Sequence, residues 1–87
     1  MLERLKVDLG IATTAYDERL AQYLTTAQQM IEREGATALD LSAPEDMQLV
    51  VMYAAWLWRR RDTQEGMPRM LRWALNNRIF SEKARGG

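Results

Sequence analysis

The chain has no cysteine and no histidine, and only two prolines, one phenylalanine and five glycines in 87 residues. Without cysteine there are no disulfides and no thiolate chemistry, and without histidine the usual zinc sites and the commonest acid-base group are missing as well. No apolar run approaches the about 20 residues that a membrane helix needs. The opening MLERLKVDLG carries charges throughout and lacks the apolar core of a signal peptide, so a cytoplasmic setting is expected. No glycine-rich phosphate loop, nucleophile elbow or metal-ligand cluster is present. The carboxylate pairs Asp17–Glu18 and Glu45–Asp46 fall in the first turns of predicted helices, where negative charge favours the helix dipole. No enzyme activity and no cofactor are expected.

What the sequence has instead is Met47 to Arg61, MQLVVMYAAWLWRRR. Wound at 100° per residue, this segment carries Met47, Val50, Val51, Ala54, Leu57 and Trp58 on one side, and Leu49, Met52, Tyr53 and Trp56 on the other. A helix that is apolar all round belongs in a core or a membrane. It is too short for a membrane, so it is expected to be the buried axis of a small all-α bundle. A domain of this size buries only roughly 60 to 65% of its unfolded surface, which leaves little cover to spare. Trp56 and Trp58 point about 160° apart. The expectation is that the fold covers one of them and that a neighbouring chain is needed for the other.

Three further helices follow from spacing. Leu2, Leu5 and Leu9 mark a short first helix closed by Gly10. After a connector over residues 11–15, with Thr14 and Asp17 as a weak start signal, a second helix is predicted from about Ala15 to Glu34. Its stripe is Tyr16, Leu20, Tyr23, Leu24, Ala27 and Ile31, and Gly35 ends it. Ser42-Ala-Pro-Glu45 reads as a capping box at the start of the central helix, with Pro44 in the first turn. Pro68 opens the last helix, where Met67, Met70, Leu71, Ala74 and Leu75 are assigned to one face and Arg69, Arg72, Trp73 and Asn76 to the opposite one. Residues 1–80 therefore form one helical domain, and 81–87 a flexible polar tail.

The formal charge is zero but unevenly placed: residues 1–48 hold four basic and nine acidic side chains, and residues 49–87 hold eight basic and three acidic. That polarity suits a subunit meeting copies of itself head to tail. The plainer alternative is that folding mixes the two halves. Arg59, Arg60 and Arg61 suggest nucleic acid, yet adjacent helical residues diverge by 100° and cations also favour a helix C-terminus. A small helical DNA-binding protein of phage packaging or regulation is thus the alternative function. Trp73 among Arg69, Arg72 and Asn76 is a contact-surface candidate, because Trp and Arg are enriched at binding hot spots.

In order, LKVDLGI, a long amphipathic helix ending in glycine, PEDMQLVVMYAAWLWRRR and GMPRMLRWALNNRI resemble the head-tail connector (head-completion or adaptor) proteins of long-tailed phages and prophages. The likeness runs from Leu5 to about Ile79 and is most specific over Tyr53–Arg59 and Met67–Arg78. It implies an all-helical structural subunit at the virion head-tail junction, assembled in the host cytoplasm. About a dozen copies would form a ring beneath the portal protein, closed by cyclic symmetry. Such a ring would extend the DNA channel without sequence-specific binding to the genome and would dock a tail-completion protein. Under that resemblance Arg59, Arg60, Arg61, Arg69, Arg72, Trp73 and Asn76 are the expected subunit or portal contacts. With only seven residues after Phe80, portal docking through an extended terminal segment is not expected.

Overall fold

The computed structural model describes residues 1–86, with side chains described as far as residue 84. It is an all-α bundle of one short helix, α1 (Leu2–Leu9), and three longer ones, α2 (Asp17–Glu34), α3 (Pro44–Thr63) and α4 (Arg69–Gly86), with no strand among the described residues. The fold class is the one the spacing predicts.

α1 buries Leu5 and ends at Gly10, whose φ of 70° is the left-handed C-terminal conformation that glycine adopts without a Cβ penalty. Lys6 lies along the same buried side, and its Nζ sits 2.8 Å from Asp17 Oδ1, which ties α1 to the start of α2. On α2 the apolar stripe is realised as Leu20, Leu24, Ala27 and Ile31, all in the core. The helix begins at Asp17 rather than Ala15, and Thr14 contributes only its carbonyl, which accepts the Asp17 N–H at 3.2 Å. Gly35 closes α2 with φ 129°, and a Cβ there would stand 3.2 Å from Ile79 Cγ2 of α4. Its small size therefore lets α4 approach the end of α2.

α3 is the buried axis. Leu49, Val50, Val51, Tyr53, Ala54, Ala55, Trp56 and Trp58 are all buried, and α1, α2 and α4 each pack against it. Its start differs from the expected capping box. The residue before the first turn is Ala43, with no side-chain cap bond. Ser42 Oγ instead donates to Asp40 Oδ1 at 2.6 Å, and the Ser42 N–H donates to the same oxygen at 3.0 Å. The Asp40 carboxylate, two residues upstream, accepts the Ser42 N–H that the Glu45 carboxylate would take in a capping box, and it holds the Ser42 hydroxyl as well.

The expectation that one chain cannot cover both indoles is overturned: Trp56 is 7% and Trp58 8% exposed. Each side of α3 has its own cover. Trp58 lies edge-on to Tyr16 and Tyr23, at 5.5 and 5.7 Å between ring centroids, with the Arg61 guanidinium 3.7 Å above it. Trp56 packs edge-on against Tyr53 at 5.4 Å and lies beneath Arg60 at 4.9 Å, and its Nε1 donates to the Gly66 carbonyl at 3.1 Å. The cover comes from Tyr16 and Tyr23 on the α2 side, from the loop after α3, and from the guanidinium groups of Arg60 and Arg61. By buried area each indole contributes about 4–6 kcal/mol, an upper figure before entropy.

α4 also continues past Phe80, where a flexible tail was expected. Residues 81–86 are helical, and Glu82 is anchored: its Oε1 accepts the Ala38 N–H at 2.6 Å and its Oε2 the Thr37 N–H at 2.8 Å. These contacts fasten the last turns of α4 to the loop that follows α2. Gly87 of the expected tail lies outside the described residues.

Candidate functional site

The proposed contact residues divide into two groups. At the end of α3, Arg60 and Arg61 lie over the two indoles, and Arg61 also donates to the Trp58 carbonyl. Arg59 reaches across to α1, where its Nη2 donates to the Asp8 carbonyl at 3.3 Å. All three guanidinium groups thus have partners within the chain. Arg61 caps the C-terminal end of α3, Arg60 and Arg61 shield its indoles, and Arg59 ties it to α1, so no single flat basic patch results among the described residues.

The second group lies on α4. Leu71, Leu75 and Ile79 turn inward, which leaves Arg69, Trp73 and Asn76 on the outside. Trp73 is 68% exposed, in sharp contrast to the two indoles of α3. Arg72 is less available than its neighbours, because its Nη1 bonds Glu34 Oε1 at 3.1 Å. Glu34 also accepts from Tyr53 Oη at 3.4 Å, and burial first, then the Glu34 charge, pushes the Tyr53 phenol above its ordinary value. Arg78, which residue type alone does not mark out, joins α4 to the start of α3 and to the loop before it. Its Nε donates to Asp46 Oδ1 at 2.7 Å, its Nη2 to the Ala38 carbonyl at 2.9 Å, and the bond to Asp46 raises its pKa further.

The fold therefore mixes the acidic and basic halves in part. Glu34–Arg72 and Asp46–Arg78 join them, while Glu3, Asp8, Glu18 and Glu32 on one side and Arg69 and Lys83 on the other stay exposed. Of the paired carboxylates, Asp17 faces Lys6, and Asp46 holds Arg78 and the Asp40 N–H. Among the described residues no group of three or more acidic side chains could hold a metal ion, and no helix is long and apolar enough to cross a membrane.

The spacing of α4 assigns Met70 to the inward face with Leu71 and Leu75, but it is 71% exposed. It lies 100° from Leu71 and 140° from Leu75 around the helix, too far round to follow them into the core. Phe80, 73% exposed, stands on the same outer side. Among the described residues, three of the five exposed large apolar side chains, Met70, Trp73 and Phe80, thus lie on one helix. Their spacing was available in the sequence. No family model, curated protein or solved structure matches the chain.

Proposed function

We propose that the protein is a structural assembly subunit, a head-tail connector of a long-tailed phage or prophage, and that the outer face of α4 is its main contact surface. The observation that carries this reading is the exposure of Trp73 between Met70 and Phe80, bordered by Arg69 and Asn76, on a helix whose opposite face is fully committed to the core. An exposed tryptophan with neighbouring arginine is the composition of a binding hot spot. The connector reading adds a ring of copies at the head-tail junction beneath a portal protein, with a tail-completion protein on the other side and the genome passing through without sequence-specific contacts. The likeness of Tyr53–Arg59 and Met67–Arg78 to that family supports it. An unhidden remainder of α3 no longer does, since both its indoles are covered.

Mixing the chain with the portal protein of a long-tailed phage, and following mass by light scattering, tests the proposal. The expected result is a complex holding many copies of the chain, weakened by W73A while the helical circular dichroism is retained. Failure to associate, together with strongly salt-dependent binding to duplex DNA, would favour a DNA-binding module instead.

A further inference from the structure

The exposed residues of α4 are ordered as well as apolar. Met70, Trp73, Asn77, Phe80 and Ala84 are separated by three, four, three and four residues, and all five are exposed. At 100° per residue they fall within about 80° of arc, which is the seam of a helix that pairs with another helix. Asn77 occupies the middle of the seam, where a single polar side chain fixes register. Arg69 and Lys83 flank one edge, and among the described residues neither is ion-paired. Along the other edge, α4 and the first half of α3 flank an open groove of about 1260 Å³, with Leu49, Met52 and Ala74 in its lining beside Glu45 and Arg78, and bordered by Trp73 and Asn77. Gln48 also lines it, while its Oε1 is buried beneath the surface without a hydrogen-bond partner among the described residues.

We infer that this seam and groove receive an amphipathic helix of a different protein, one that carries acidic residues along the edge facing Arg69 and Lys83. A second copy of the chain does not fit the same chemistry. Antiparallel pairing of two α4 seams about Asn77 would bring Arg69 of each copy toward Lys83 of the other, like charge against like. Parallel pairing would set the basic edge against the α4 edge holding Ala74 and Ser81, neither of which carries a charge to answer it, with the Glu45 carboxylate across the groove rather than on the helix. The outward sides of α1 and α2 are polar apart from Val7 and the half-exposed Tyr16, so among the described residues no other surface offers a matching apolar stripe. The inference refines the connector reading, by assigning α4 to a portal or tail partner rather than to the next subunit, but it does not require that reading.

The full chain is titrated with two synthetic helical peptides of about three heptads, identical in their leucine stripe, one with glutamates and the other with lysines along one edge. Binding is followed by the fluorescence of Trp73. The expected result is saturable binding with the glutamate peptide favoured about fivefold or more, a preference that fades with salt. F80D removes binding of both peptides with unchanged circular dichroism, and R69E/K83E reverses the preference. Equal affinity for the two peptides, no saturable binding, or a dimer of the chain alone that F80D dissolves would each overturn the inference. Loss of portal association with peptide binding intact would count against the connector reading only.

Discussion

Two places in this molecule put tryptophan beside arginine, and they have opposite fates. At the end of α3, Trp56 and Trp58 are closed over by Tyr53, Tyr16, Tyr23 and their own arginines. On α4, Trp73 stands in solvent with Arg69 beside it. Composition is the same in both, and what differs is the neighbouring chain. α3 runs through the middle and is followed by a loop that folds back, with Gly66 presenting its carbonyl to Trp56. α4 forms an outer wall, with nothing beyond it. An arginine next to a tryptophan is a lid where the ring is already inside, and part of a surface where it is not.

The largest expected effect separates the two indoles directly. W58A opens a cavity in the core and is expected to cost about 3–5 kcal/mol, whereas W73A costs within about 0.5 kcal/mol. Urea denaturation measures both, and similar losses would erase the distinction. Next in size is the ion pair that fastens α4 to the start of α3. R78A leaves Asp46 largely buried without its guanidinium partner and is expected to cost about 3 kcal/mol. R61A removes a stacked cation from Trp58 and is expected to cost about 1 kcal/mol, against no measurable loss for R69A.

The smallest effect depends on pH. Hydrogen bonds from the Thr37 backbone first, then from Ala38, hold the Glu82 carboxyl below its ordinary range, and Ser42 does the same for Asp40. A carboxyl whose folded value is lowered stabilises the fold fully above its unfolded value and loses that contribution as pH falls through the folded one. Melting temperature is therefore expected to drop below about pH 4.3, and E82Q to flatten part of that acid limb. An unchanged slope in E82Q would show that the end of α4 is not held by Glu82.

Much of the fold could be read from residue spacing. The apolar circumference of α3, the stripe of α2 and the glycines closing α1 and α2 each follow from local rules that tertiary packing respects. The start of α3 could not be read in the same way, because Ser42 had a competitor in Asp40 that the capping rule does not weigh. The end of α4 was hidden by its polar composition: Arg78 and Glu82 look like a solvated edge until the loop at Thr37 and Ala38 is brought beside them. The exposed face of α4 is half legible in the sequence. Residue type and spacing put Trp73, Arg69 and Asn76 outside, but they also put Met70 inside, and the three-four spacing through Asn77 and Phe80 depends on which face of α4 is buried.

Acrylamide quenching of tryptophan fluorescence in the dilute protein tests the central contrast most directly. The account predicts one readily quenched indole and two protected ones, with the accessible fraction lost in W73F and kept in W56F and W58F. If W73F leaves that fraction unchanged, the exposed surface of α4 is not where this structure puts it, and the contact assignment falls with it.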